Sequence, residues 1–295
     1  MDDKVYAHLD ATSSILPHLK AHLPHASTEV YVVEVPPAPN STVLATFPST
    51  KSPPESNPWA VGVLGITGMF ETEFLFWSSV EAAPTINRDE NEEHFRTAYA
   101  QFKQMLKFIS RKYPEKETLM VGSLHSRIAS YIPMSSRCHQ STWIKFAFCK
   151  DFLPPPSSYS QDIESKYIFK RMGMEELDEV VQTSTVPRVK AFLARVPNTG
   201  AYLKSSEERR AQAWCFISRE GDISSVYVRP EARGIGLGKE TVRKEPEREF
   251  VHQKFIMAHV SSTNTASLRL CQSLGARRVF EVDWVVILMD EYRDN

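Results

Sequence analysis

The stretch VYVRPEARGIGLGKET, residues 226–241, places Gly234, Gly236 and Gly238 at alternating positions after a β-branched run, a proline and an arginine. Glycine loses more conformational entropy on folding than any other residue, so three within five positions need a reason. At a strand-to-helix junction, such a run presents successive backbone N–H groups undiluted by side chains, and the helix start adds its dipole. That is an anion cradle, suited to a phosphate or pyrophosphate. Arg233 would either add charge at the phosphates or fix the loop. A glycine-rich turn with no ligand is the other reading of the same residues.

Spacing separates the phosphate-binding loops. A Walker-type loop needs glycine, four residues, then Gly-Lys-Ser/Thr. Gly238-Lys239 supplies only the middle, because Arg233 stands at the first position and Glu240 at the last. The dinucleotide fingerprint G-x-G-x-x-G follows a parallel strand. Here the spacing is G-x-G-x-G, and the segments before it read as antiparallel. A third pattern, Gln/Arg-x-x-Gly-x-Gly/Ala, is matched by Arg233, Gly236 and Gly238. Downstream, NTASLRLCQSLGA (264–276) sets Asn264, Ser267, Leu270, Leu274 and Gly275 at the intervals of a second motif.

With these two motifs in order and a strand between them, the sequence resembles the GNAT superfamily of acyl-CoA-dependent N-acyltransferases. It is most similar to the glycine N-acyltransferase-type, FR47-like family. LPHLKAHLPHASTEVYVVEV followed by NPWAV, and MGMEELDEVV…REGDISSVYVRPEARG, carry that wider similarity. Two positions depart from the second motif: Cys271 stands where the family usually has tyrosine, and Ala276 where it has phenylalanine.

The resemblance implies acyl-CoA as co-substrate, with its pyrophosphate on Arg233, Gly234, Ile235, Gly236, Gly238 and Lys239. Val226 and Val228 would pair with the pantetheine arm, and the backbone around Tyr227 would supply oxyanion donors. Asn264 and Ser267 would contribute to cofactor contact, although Asn264 reads equally well as a helix cap.

Acyl transfer needs a neutral amine. An alkylammonium with a pKa of about 10 is free base in well under one part in a hundred at pH 7, so a base is useful. Asp222, in the pair Gly221-Asp222, stands where the family carries a glutamate. One methylene shorter, it would need a bridging water; a plain turn residue is the competing reading. Cys271 and Tyr227 are the candidate acids for the leaving thiolate, but a buried cysteine is usually a small hydrophobe. The implied reaction moves an acyl group from CoA to a small amine, glycine or another amino acid. A CoA-binding protein without catalysis and a protein-lysine acetyltransferase are the alternatives.

These groups need a scaffold. STEVYVVEV (27–35), NPWAVGVLG (57–65) and ETLMVGSLH (117–125) read as strands. ENEEHFRTAYAQFKQMLKFISRKY (90–113) reads as a helix, with Phe95, Tyr99, Phe102, Leu106 and Phe108 at helical spacing. DFLPPPSSYSQD (151–162) continues neither helix nor central strand. A boundary there divides the chain into 1–155, an N-terminal GNAT-like, substrate-pocket domain, and 156–295, the C-terminal acyltransferase domain. After it come two short helices (174–184 and 186–197) and a meander of AYLKS, AQAWCFISR and GDISSVYV. A helix following the glycines, the strand KFIMAHVSS, the helix TASLRLCQSLG and a closing strand, RRVFEVDWVVILM, complete the chain. The order is α+β, or mixed α/β. Pro246 falls inside the helix after the glycines, where an interior proline costs about 3 kcal/mol. That helix is therefore expected to end or kink near Lys244–Glu245.

Composition bounds the rest. The 295 residues suffice for two domains, and a net charge of −1 lacks the basic footprint nucleic-acid binding needs. Four cysteines without a C-x-x-C pair suggest reduced thiols. The acidic start, MDDKVYAHLD, and the glycine-broken run at 59–70 suggest neither signal peptide nor membrane span, so the expected location is cytoplasmic. His18, His22 and His25 have helical spacing, but Pro24 interrupts it, and a solvated face is the expectation rather than a metal site.

Overall fold

The computed structural model describes residues 6–8, 42–47, 58–65, 72–81, 88–149, 158–205, 210–218, 221–249 and 255–293. By contacts the chain divides into two units, Met1–Trp143 with Phe280–Asn295, and Ile144–Val279. The expected strand at 27–35 and the three histidines at 18–25 lie outside the described residues.

The described strands are β1 (Tyr6–His8), β2 (Thr42–Ala45), β3 (Ala60–Leu64), β4 (Phe74–Ser78), β5 (Thr118–His125) and β6 (Arg137–Cys149). They continue as β7 (Tyr167–Lys170), β8 (Asn198–Leu203), β9 (Ala213–Ile217), β10 (Ile223–Val228), β11 (Phe255–Val260) and β12 (Arg277–Leu288). The helices are α1 (Arg88–Lys112), α2 (Ser126–Ala129), α3 (Ser158–Lys166), α4 (Leu177–Thr183), α5 (Lys190–Leu193), α6 (Leu237–Glu249) and α7 (Thr265–Ser273).

In the first unit β1 to β4 pair antiparallel in sequence, β4 pairs parallel with β5, and β5 pairs antiparallel with β12. A parallel step needs a crossover, and α1 supplies it. Its buried line runs Phe95, Ala98, Phe102, Met105, Leu106 and Ile109, packed with Phe74, Phe76, Leu119, Val121 and Ile287. Tyr99 and Phe108, expected on that line, flank it half-buried, because the 3.6-residue period carries the stripe through 98 and 105 instead.

The second unit repeats the order and directions. β7 to β10 pair antiparallel, β10 pairs parallel with β11, and β11 pairs antiparallel with the last six residues of β6. The expected meander is β8, β9 and β10. One side of the sheet packs Phe146, Cys215, Ile223 and Ile256 with Val242 of α6 and Cys271 of α7. The other packs Tyr202, Trp214 and Phe216 with Leu177, Val180 and Leu193 of α4 and α5.

Of the end or kink expected near Lys244–Glu245, the end is overturned, since α6 runs through Pro246 to Glu249. The proline removes one rung, while the first two turns are already anchored. Leu237, Glu240, Thr241, Val242 and Arg243 are buried, and Ser160 of α3 donates to Glu240 at 2.7 Å. Most helical stability in proteins comes from such packing, so one missing amide does not end the helix. Among the described residues no helix is long and apolar enough to cross a membrane.

Candidate active site

Strand β10 runs from the candidate acid, just before its start, to the glycine loop beyond its end. The tight connection from β9 sets its start: Gly221 takes φ +79°, Ser218 N–H donates to the Asp222 carbonyl at 2.7 Å, and Asp222 N–H donates to Ser218 Oγ at 3.2 Å. In the middle the register to β9 shifts, so that Ser225 and Val226 oppose the single residue Cys215. Ser225 sits at φ +47°, a left-handed conformation rare for a residue with a side chain. This bulge resets the alternation, so Ile223 and Val226, three apart, pack against the same cluster. On the other side, β10 registers with β11 at one position, Ile223 with Ala258.

Tyr227 lies directly opposite Trp214, and the rings stack with centroids 4.7 Å apart. The guanidinium of Arg229 reaches over Trp214 and that of Arg233 over Tyr227. Arg229 is buried; its Nε donates to the Ala211 carbonyl at 2.7 Å, and its Nη2 pairs with Glu179 of α4. Burial works against the Glu179 carboxylate, but hydrogen bonds from Arg229 and Arg210 outweigh it and hold the group below the ordinary carboxylate range. These contacts anchor the loop root.

In the loop itself, Arg233 Nε donates back to the Val228 carbonyl at 2.9 Å, so one guanidinium nitrogen fixes the turn. Gly236 takes φ +83° and a Cβ on Gly238 would meet Val228 Cγ2 at 2.8 Å, so each position excludes other residues for a different reason. Gly234, Ile235 and Gly236 are exposed, and among the described residues no acceptor takes their N–H groups. Together with the first-turn amides of α6, they form the donor array an anion requires.

Asp222 is buried and close to His259 of β11, with Oδ2 3.0 Å from Nδ1. Burial pushes its carboxyl up to about 7, against the pull of the Lys145 ammonium. Oδ1 is buried and accepts no hydrogen bond among the described residues. By alternation Asp222, Tyr227 and His259 face the α4–α5 side, while α6 covers the opposite side.

In the second motif, Asn264 is the N-cap of α7, accepting from Ser267 N–H at 3.1 Å. Cys271 lies in the apolar core, where burial pushes its thiol up to about 12. From there, protonating a thiolate of ordinary pKa near 8.5 is uphill.

Two family profiles match the chain. The profile of the acyl-CoA N-acyltransferase verG N-terminal domain matches residues 2–149, and the FR47-like protein profile matches residues 198–285. The chain belongs to the GNAT superfamily of acyl-CoA N-acyltransferases, FR47-like group. Among solved structures, a Drosophila protein is 13% identical and superposes with a TM-score of 0.59, covering 96% of this chain and 98% of its own. A GCN5-related N-acetyltransferase from Sphaerobacter thermophilus is 12% identical over 97% and 95% of the two chains, with a TM-score of 0.49. A tandem GNAT protein from the clavulanic acid biosynthesis pathway is 13% identical over 96% and 98%, with a TM-score of 0.46. No curated protein matches the chain by sequence.

This GNAT chain has GNAT-like N-terminal and C-terminal halves, as the repeated strand order reflects. Among the described residues no group of three or more metal-ligating side chains comes together. The positions that sequence reading missed are Lys145, Glu179, Trp214, Ser225, Arg229 and His259. Lys145 had a visible signal, a lone cation inside the apolar run WIKFAFC. His259 in FIMAHV had a similar one, but its partner is 37 residues distant in sequence and only pairing brings them together.

Proposed function

We propose that residues 156–295 transfer an acyl group from acyl-CoA to the amine of a small molecule, glycine or another amino acid, with Asp222 as general base. The observation that carries this reading is the make-up of β10: a buried carboxyl of raised pKa at its start, a bulge in its middle and an open amide loop at its end. The amides of Gly234, Ile235, Gly236, Gly238 and Lys239 would hold the CoA pyrophosphate, with the remaining guanidinium nitrogens of Arg233 and the Lys239 ammonium adding charge. Bound there, acyl-CoA supplies the electrophilic thioester carbonyl. Val226 and Val228 would line the pantetheine arm, and the backbone amides around the bulge would stabilise the oxyanion.

A carboxyl titrating near 7 suits this task. Its proton affinity lies close to working pH, where a base is both free to accept and strong enough to matter. Because Oδ1 is buried, the proton passes to it through a bridging group, as the short aspartate side chain suggests. Tyr227, beside the bulge, is the remaining candidate for proton return to the thiolate. Cys271 is assigned to packing, and Asn264 and Ser267 to capping α7 near the cofactor.

The test is release of free thiol from acetyl-, hexanoyl- and benzoyl-CoA, each offered to glycine, glutamine, phenylethylamine and a lysine-containing peptide. Thiol release with a small amine supports the reading. Turnover of the peptide alone redirects it to protein lysines. A CoA-induced rise in Tm without thiol from any pair leaves a CoA-binding protein and ends the transferase reading.

A further inference from the structure

Two buried titratable groups adjoin Asp222 and have no task in the acyl-transfer scheme. His259 follows Ala258, the residue at which β11 meets β10, and its Nδ1 is 3.0 Å from Asp222 Oδ2. Lys145 stands directly opposite His259 in the β6–β11 pairing and is 0% exposed. Directly opposed residues of an antiparallel pair have Cβ atoms about 5 Å apart on one face, so the ammonium and the imidazole are neighbours.

Removing charges from water costs several kcal/mol per ion even after relaxation, and apolar residues would fill these interior strands more cheaply. The grouping makes sense as a charge-balanced set. With Lys145 protonated and Asp222 ionised, the set is neutral while the imidazole is neutral. Lys145 opposes a second positive charge on His259, whereas Asp222 favours it. Burial pushes the Asp222 carboxyl up to about 7. Two titratable groups in contact at 3.0 Å interact strongly enough to titrate as a pair. The contact also divides the carboxylate: Oδ2 lies 3.0 Å from His259 Nδ1, and the buried Oδ1 is left as the acceptor.

We propose that Asp222 and His259 work as one proton acceptor, His259 being the positioning residue that fixes Oδ2 and shares the accepted proton, with Lys145 as the fixed charge that sets the pair. This rests on the acyl-transfer reading with Asp222 as base. The substrate ammonium gives one proton to the pair, and the free amine forms the C–N bond as the thioester C–S bond breaks. Of the two protons the nitrogen loses, one ends on the CoA sulfur and the other goes to water. An acyl-CoA and an ammonium thus become an amide, CoA thiol and a proton.

The test combines two readouts on the full chain. The first is the pH profile of thiol release for wild type, His259→Asn, Lys145→Met and Asp222→Asn. Asparagine can still donate a hydrogen bond to Oδ2 but cannot titrate. The expected result for His259→Asn is at least a tenfold loss of kcat with KM for acyl-CoA unchanged, together with a displaced acidic limb. Lys145→Met should move that limb to higher pH. The second readout needs no substrate: NMR titration of the His259 imidazole nitrogens in wild type and in Asp222→Asn. Loss of the carboxylate should lower the imidazole midpoint by about one unit or more, because the imidazolium loses its counter-charge. A His259→Asn enzyme with wild-type kcat and pH profile, or an imidazole titration that Asp222→Asn leaves unmoved, overturns the pairing while the acyl-transfer reading stands. Coupled imidazole titration without thiol release in any pair sinks the transfer reading, and the catalytic role proposed here with it.

Discussion

Strand β4 of the first unit and strand β10 of the second each stand fourth in a sheet of the same order and directions. Each follows an antiparallel neighbour and pairs parallel with the next strand across a helix. An acid precedes both: Glu73 before Phe74, and Asp222 before Ile223. Their surroundings differ. Glu73 is fully engaged, with Lys116 at 2.6 Å from Oε1 and Met120 N–H at 3.0 Å from Oε2. Asp222 has one oxygen held by an imidazole and the other left over. β4 runs in unbroken register with β3 and buries all five of its residues; β10 bulges and is half-exposed beyond Ile223. The first unit does carry a left-handed serine, Ser123 at φ +52°, but on β5, where the register to β12 shifts. Among the described residues, the same strand order therefore presents a buried or a half-exposed fourth strand according to where a register shift falls. A paired acid stabilises structure, whereas a desolvated and partly unpaired one is primed to bind a proton.

The largest effect should come from exchanging the two acids for their amides. Asp222→Asn should lower thiol release by about a hundredfold to ten-thousandfold, the range for loss of a general base. Glu73→Gln should leave thiol release within about twofold, as measured in steady-state assays with acetyl-CoA. Equal losses in both variants would remove the distinction between the halves.

Stability should respond to pH in the same sense. The Asp222 carboxyl is raised from an ordinary 3.8 to about 7, so the folded state binds the proton more tightly than the unfolded one. Its favourable contribution is complete below about 4, declines as pH rises from 4 to 7, and is absent above that. Wild-type stability should therefore fall across this window relative to Asp222→Asn, by a few kcal/mol at most, as read from urea midpoints at pH 4.5 and 7.5. A difference independent of pH would show that the group is not held protonated by burial.

Substitutions of glycine should separate binding from packing. Gly236→Ala places a Cβ at φ +83°, a strain of about 1–3 kcal/mol, and should raise KM for acyl-CoA about tenfold. Gly62→Ala on β3 would press on the Phe74 ring at 2.5 Å and should lower Tm while leaving that KM unchanged. The smallest effect concerns the cap of α7. Asn264→Ala should cost about 1 kcal/mol in unfolding experiments. A rise in KM larger than that loss explains would give Asn264 a direct part in cofactor contact.

Much of the second unit was legible because its signals are local. The R-x-x-G-x-G spacing, the cap Asn264 and the apolar periodicities of α7 and β9 to β11 each depend on residues within a turn or a strand. The repeated topology of the halves was not legible as a sequence repeat, since strand order is conserved by pairing geometry rather than by residue identity. The end or kink expected for α6 near Lys244–Glu245 shows the opposite limit, since the helix continues past a strong local breaker when the turns before it are packed. Cys271 could be read as acid or packing from sequence; it lies in the apolar core, where burial pushes its thiol up to about 12.

By itself the sequence determined the family, the glycine loop and the position of the acid at the start of its strand, because those depend on residue type and short spacing. Only the tertiary structure decided the state of that acid. The imidazole and the ammonium come from strands 37 and 77 positions away in sequence, brought beside Asp222 by sheet register. Burial, which no local pattern records, then raises its proton affinity to the range in which a base can work.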